Sequence, residues 1–114
     1  MPKSSTGLDE NVAGLLSYLL GWITGIIFFV LEKDSKFVKF HAMQSIIFFA
    51  AVTVVVIVLG IFTFIPYIGF IFGVVAWLVD IFAFIMWIIL MIKAYQHQMF
   101  KLPVAGPMAE KYAK

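Results

Sequence analysis

The chain of 114 residues contains no cysteine and no arginine. Without cysteine it has no disulfide bond and no thiolate metal site. Only 12% of its residues are charged and its net charge is +2, which is too little positive charge to indicate nucleic-acid binding. Low charge combined with high hydrophobicity also excludes an intrinsically disordered chain.

Apolar residues make up 64% of the sequence. A soluble domain is about 45–50% apolar and about 25% charged. A chain of this size has too much surface for its volume to hide such an excess from water. The composition therefore predicts one integral membrane domain over residues 1–114, with the lipid bilayer as its main partner.

Long apolar segments predict an all-α fold with three transmembrane helices, because about 20 apolar residues are needed for each crossing. Residues 12–31 form an uncharged segment that we interpret as the first span. The following run is too long for a single crossing, and the turn residues near Pro66 divide it into spans at 42–62 and 70–92. In the tail, Gly106 and Pro107 predict a loop.

Lysine is distributed unevenly between the segments that connect these spans. The loop 32–41 carries three lysines and the tail 93–114 carries four, whereas the turn after the second span has none and the N-terminal segment has one. The positive-inside rule places the loop and the tail in the cytoplasm, and with three spans it places Ser4 and Tyr67 outside. We therefore expect a multi-pass protein of the inner or plasma membrane. The aromatic and basic residues of the loop suit either a segment in the headgroup region or a short polar connector.

Two predicted spans carry rows of small residues at helical spacing. Such rows let helix backbones approach closely in lipid. They favour packing of spans one and three against each other, with an interface between subunits or a lined pathway as the alternative. The residues are Gly14, Ser17, Gly21 and Gly25 in span one, and Gly69, Gly73, Ala76 and Ala83 in span three.

Asp80 is the single charged residue between positions 42 and 92, and it lies at the middle of the third span. An acid at this depth is costly and marks a functional or structural polar contact. We expect it to be buried among the helices in its neutral form, hydrogen-bonded to Thr24 or Thr53, which lie at similar depth. The alternative is a proton or cation relay in an oligomeric channel or transporter subunit.

His41, Gln44 and Ser45 share one helix face at the cytoplasmic start of span two. We interpret this polar face as a hydrogen-bond cluster. A metal site or a membrane enzyme would require His41 to meet His97 and carboxylates, and no spacing in the sequence predicts a metal or a cofactor. Since no phosphate-binding loop and no activated nucleophile is visible, we expect a non-enzymatic protein.

Four stretches are similar to a known family: Gly7 to Gly14, Tyr18 to Gly25, Phe40-His41-Ala42-Met43-Gln44-Ser45, and Lys101 to Gly106. Together they resemble a family of small prokaryotic membrane proteins of unknown function, which is distantly similar to the twenty-kilodalton Tic component of chloroplast protein import. The resemblance implies a helical inner-membrane protein with a role in assembly or protein translocation. Its expected partners are other copies of the chain or other membrane proteins, and the resemblance supplies no catalytic residue.

Overall fold

A computed structural model describes residues 3–113, which form a body of 55 × 21 × 21 Å. Lys114, one of the tail lysines, lies outside the described residues. The described range is helical, which confirms the all-α prediction. Its helices are α1 (Glu10–Leu19), α2 (Trp22–Leu31), α3 (Lys36–Phe62), α4 (Gly69–Tyr95) and α5 (Ala105–Tyr112).

The two long helices α3 and α4 have 27 residues each and are the described helices long and apolar enough to cross a membrane. They contain the predicted spans 42–62 and 70–92, and the predicted turn between them is present at residues 63–68. Helix α3 begins six residues before the predicted span. It starts there because the Ser35 side chain accepts a hydrogen bond from the Val38 amide at 3.2 Å and caps the first turn.

The predicted first span is not one helix. It consists of α1 and α2, which have ten residues each and fold back on each other as a hairpin. The Glu10 carboxylate accepts a hydrogen bond from the Ser35 hydroxyl, and the Ser5 amide donates to the Glu32 carboxylate at 3.0 Å. In a continuous helix, residues 10 and 32 would be about 33 Å apart. The three-span prediction is therefore not confirmed, because the first apolar segment folds back on itself instead of forming one long helix.

The chain reverses at Gly21, whose φ of 64° is readily adopted only by glycine. A helix break inside a bilayer leaves backbone groups without water to satisfy them. Here side chains supply the missing bonds: Thr24 accepts from the Leu20 amide at 3.0 Å and donates to the Ser17 carbonyl at 3.2 Å, and Ser45 donates to the Gly21 carbonyl at 2.8 Å. The reversal is therefore built into the packing of the hairpin.

The hairpin covers only part of the two long helices. Its reversal point at Gly21 lies against Phe49, at the middle of α3. We name residues 3–49 and 82–113 the near half and residues 50–81 the far half. The near half contains the hairpin and all three apolar core clusters, whereas the far half consists of α3, α4 and their connecting turn.

The tail after α4 returns to the near half instead of extending away. Helix α5 buries Ala109 against Phe40 of α3. The predicted loop at Gly106 and Pro107 is instead the first turn of this helix. Proline is compatible with a first turn because its missing amide hydrogen would have no helical partner there.

Candidate functional site

Three fully buried side chains form a hydrogen-bond chain in the near half: Gln44, Tyr18 and His41. Gln44 Nε2 donates to the Tyr18 hydroxyl at 2.9 Å, and this hydroxyl lies 2.6 Å from His41 Nδ1. His41 Nε2 lies 2.9 Å from the Gln98 carbonyl oxygen. Because a carbonyl oxygen only accepts, Nε2 carries the hydrogen and Nδ1 accepts from Tyr18. We call these three residues the polar network.

The polar network holds the segment after α4 in an extended form. Gln44 Nε2 donates to the Phe100 carbonyl at 2.9 Å, and the Leu102 amide donates to Gln44 Oε1 at 2.9 Å. The side-chain amide therefore pairs with the backbone as a neighbouring strand would. Residues from α1, α3 and the tail are thus joined through one glutamine.

A second polar cluster joins the start of α1 to the end of α4. Besides the bond from Ser35, the Glu10 carboxylate accepts from His97 Nε2 at 3.0 Å. Asn11 donates to the Tyr95 carbonyl at 3.0 Å. The ring of Phe37 lies between the two histidines, stacked on His97 at 4.2 Å and edge-on to His41 at 4.6 Å. The two imidazoles are therefore held apart by an apolar ring.

A third cluster surrounds Glu32, which is 1% exposed at the end of the hairpin. Its carboxylate accepts from the hydroxyl of Ser5 at 2.8 Å and from the amides of Asp34 and Ser35 at 3.1 and 2.8 Å. Burial raises the pKa of this carboxyl, but the hydrogen bonds from Ser35, Ser5 and Asp34 outweigh it, so its pKa lies below the ordinary 4.5. This ionised group fixes the N-terminal segment against the loop before α3.

The predicted face of His41, Gln44 and Ser45 is thus a set of buried hydrogen-bonding groups. His41 and Gln44 belong to the polar network, while Ser45 bonds the hairpin reversal. Within residues 3–113, no group of three or more His, Asp or Glu side chains is arranged to hold a metal ion.

An open groove of about 340 Å³ begins where the hairpin ends, at the middle of the long helices. One wall is the hairpin reversal and the others are the facing sides of α3 and α4. Apart from Asp80 and Thr53, the groove is lined by apolar and aromatic side chains and by Gly21. Its lining residues are Leu20, Gly21, Trp22, Phe49, Val52, Thr53, Asp80, Ala83, Phe84 and Trp87.

Asp80 is exposed in this groove, so the prediction that helices of its own chain bury it is wrong. Neither hydroxyl that was expected to bond Asp80 does so. Thr53 donates to the Phe49 carbonyl at 2.7 Å, and Thr24 donates to the Ser17 carbonyl at the hairpin reversal. Among residues 3–113, no group hydrogen-bonds to the Asp80 side chain. Asp80 lies near the middle of α4, as counted from the sequence, but the shortness of the hairpin leaves it uncovered.

The small residues of the hairpin pack mainly on α3, and not on the small row of α4 as predicted. A Cβ added at Gly25 would lie 2.9 Å from the Ala42 carbonyl oxygen. Gly14 does approach α4, with an added Cβ 3.3 Å from that of Ala94, well beyond the predicted row.

The remaining members of the two rows serve local contacts. Ser17 is buried and donates to the Ala13 carbonyl at 2.9 Å. In α4, Gly69 and Gly73 face Thr63 at the turn, while Ala76 is half-buried and Ala83 is buried. The two rows of small residues therefore do lie at close contacts. The helices and side chains that they contact could not be identified from their spacing.

Sequence reasoning missed Tyr18, Trp87, Glu10 and Glu32 as structural residues. Trp87 Nε1 donates to the Tyr18 carbonyl at 2.7 Å near the hairpin reversal. A signal was available, because both glutamates flank the first apolar segment in the sequence. Both glutamates accept a hydrogen bond from Ser35, and this arrangement depends on the reversal at Gly21, which apolar length alone does not reveal.

Comparisons with known proteins place this sequence in a family. The magnetosome magnetite crystal formation protein family matches residues 8–109. A UPF0132 membrane protein of Methanocaldococcus jannaschii is 54% identical over 114 residues, covering 100% of this chain and 97% of the relative. A UPF0132 membrane protein of Archaeoglobus fulgidus is 55% identical over 104 residues, covering 91% of this chain and 95% of the relative. No solved structure matches. The chain therefore belongs to the magnetosome magnetite crystal formation protein family, and its relatives include UPF0132 membrane proteins of archaea.

Proposed function

We propose that this protein is a non-enzymatic component of a membrane assembly and that it receives another membrane protein in the groove at the hairpin reversal. The observation that carries the proposal is the exposure of Asp80 in that groove. In a bilayer, an acidic side chain at the middle of a helix faces a protein interior or a water-filled cavity, because contact with lipid is costly. A partner that covers the groove would remove this cost. A protein-translocation complex is one form that such an assembly could take.

The packing of the two halves supports the same proposal. In the near half the hairpin already covers one side of α3 and α4, so a partner helix on that side would have to displace it. In the far half the same side of α3 and α4 has no covering helix among residues 3–113, so a partner can lie on it without rearrangement. An association that starts at the groove and continues along the far half therefore needs no unfolding of the chain.

We further propose an orientation that differs from the one expected for three spans. With a hairpin that returns, the N-terminal segment, the loop before α3 and the tail lie at one end, so every lysine of residues 3–113 is at that end. The positive-inside rule places this end in the cytoplasm and the turn at Tyr67 outside.

Labelling tests this orientation. Since the chain has no cysteine, the variants Lys3→Cys, Lys36→Cys and Tyr67→Cys each carry one reactive thiol. An impermeant maleimide added to intact cells should label only Tyr67→Cys, and permeabilisation should expose the other two. Labelling of Lys3→Cys in intact cells would overturn the proposed N-terminal position.

Cross-linking in native membranes tests the assembly. Phe84→Cys places a thiol in the groove, and Val54→Cys places a comparably exposed thiol on α3 outside the groove lining. A short membrane-permeant cross-linker should give a defined higher-mass adduct from Phe84→Cys and not from Val54→Cys. Equal adduct formation by both variants, or none by either, would count against a partner in the groove.

A channel or transporter subunit is the second candidate function, and the same acid favours it. Asp80 beside a broken helix could form part of a proton or cation path when several copies enclose it. Purified protein in liposomes would then conduct protons or monovalent cations, and Asp80→Asn would abolish the flux. A flux that is equal in the parent and in Asp80→Asn would exclude this role for Asp80.

A further inference from the structure

We infer that the membrane partner carries a basic residue, lysine or arginine, at the middle of an apolar helix, and that this residue pairs with Asp80 in the groove. The inference rests on the proposed function and specifies the chemistry of the partner. Its starting point is the carboxyl of Asp80, which is exposed among apolar side chains and has no hydrogen-bond partner within the described residues. An opposite charge is the strongest compensation for such a group.

A second copy of this chain does not supply that charge. Every lysine of residues 3–113 lies in the near half, and the sequence has no arginine. On α4 itself, Lys93 is 13 residues from Asp80, which corresponds to about 20 Å along the helix. A parallel copy would present its lysines at the same membrane surface, and an antiparallel copy would present them at the opposite one. The cation at the depth of Asp80 must therefore come from a different protein.

The aromatic lining of the groove suits a cation better than a neutral group. Trp22 is 38% exposed and Phe84 is 58% exposed, and Phe84 lies 5.7 Å from Trp87 between ring centroids. Aromatic faces attract lysine and arginine side chains, and the attraction is larger where water is excluded. The same rings also cover the methylene groups that lead to the charge.

The shape of the surroundings favours a helix as the carrier of this charge. The hairpin stops at Gly21, so beyond it the facing sides of α3 and α4 continue through the far half without a covering helix. A partner helix that crosses the bilayer beside the far half would continue the layer that the hairpin begins. Its central residue would then lie at the depth of Asp80.

Synthetic membrane-spanning peptides test the inference directly. The probes are apolar 22-residue helices with lysine at the centre, with leucine at the centre, or with the same lysine moved close to one end. Energy transfer in liposomes would measure their binding to the full chain, labelled through the single thiol of Lys111→Cys. We expect the central-lysine peptide to bind at least tenfold more tightly than the other two. In an Asp80→Asn background this preference should disappear, while Asp80→Glu should retain it and Asp34→Asn at the near end should leave it unchanged.

Two results would overturn the inference. If the leucine peptide binds as tightly as the central-lysine peptide, or if Asp80→Asn keeps the preference, the partner is not recognised by its charge. If tetraphenylphosphonium binds in an Asp80-dependent way while no peptide is preferred, the groove is a site for small organic cations. Neither result removes the assembly itself, which the cross-linking at position 84 tests separately.

Discussion

The near and far halves of the molecule use the same two helices under different packing conditions. In α3, every buried residue lies in the near half, between Phe37 and Ser45. In the near half, three polar clusters and three apolar clusters join all five helices. In the far half, α3 and α4 contact each other, and their outer apolar side chains, such as Phe70, are exposed.

This difference shows which contacts select one particular packing arrangement in a membrane protein of this size. Apolar contacts distinguish poorly between protein and lipid, because lipid chains are as apolar as leucine. Hydrogen bonds from buried side chains to defined backbone groups do distinguish them, and in this protein they are concentrated in the near half. The far half has few of these bonds, so its apolar surface does not fix any particular neighbour.

The largest expected effect comes from Gln44→Ala. This substitution would destabilise the near half and so reduce the difference in packing between the two halves. The substitution leaves the Phe100 carbonyl and the Leu102 amide without their partners. Unsatisfied buried groups cost about 1–3 kcal/mol each, so we expect a loss of about 3 kcal/mol in the free energy of unfolding. Unfolding in detergent would measure it, and limited proteolysis should show cleavage in the tail after α4.

Gln98→Ala is the matched control, because its side chain is exposed and only its backbone carbonyl takes part in the network. It should unfold like the parent. If Gln44→Ala and Gln98→Ala have equal stability, the polar network does not hold the tail.

A pair of glycine substitutions compares the halves directly. A Cβ at Gly25 would lie 2.9 Å from the Ala42 carbonyl oxygen, whereas a Cβ at Gly60 would meet nothing within 4 Å. Overpacking costs about 1–3 kcal/mol, so Gly25→Leu should lower stability by about 2 kcal/mol. Gly60→Leu should change it by less than about 0.5 kcal/mol. Thermal unfolding in detergent would measure both, and similar losses in the two variants would mean that the halves are packed alike.

The smallest effect concerns pH. The pKa of Glu32 is lowered in the folded protein, so its stabilising contribution is complete above the unfolded value and is lost as pH falls through the folded value, below about 4.5. Melting temperature should therefore decrease between pH 5 and pH 3. In Glu32→Gln the decrease should be smaller, because the group that takes up the proton is absent. A pH profile of Glu32→Gln that superimposes on that of the parent would show that this carboxylate is not responsible.

The two long helices could be predicted because they depend on a local property. Each is 27 residues long and predominantly apolar, and a bilayer leaves the helix as the structure that satisfies the backbone. The turn at Pro66 was equally local. Even the position of Asp80 near the middle of α4 followed from counting residues.

The hairpin and the tail could not be predicted in the same way. Residues 12–31 are apolar for the length of one crossing, and the reversal at Gly21 depends on bonds from Thr24, Ser45 and Trp87 near the break. Two of these residues lie far from Gly21 in sequence. Helix α5 likewise depends on its contact with α3, since eight residues are too few for a stable isolated helix.

The sequence by itself determined that this is a helical membrane protein, with an acid near the middle of its last long apolar run and its lysines gathered outside the apolar runs. These properties follow from composition and from residue counts against a fixed bilayer thickness. Only the tertiary structure decided that the first apolar segment returns, that the polar residues flanking it meet, and that Asp80 stays exposed. These outcomes depend on which distant side chains satisfy the backbone at a single glycine, and no local pattern contains that information.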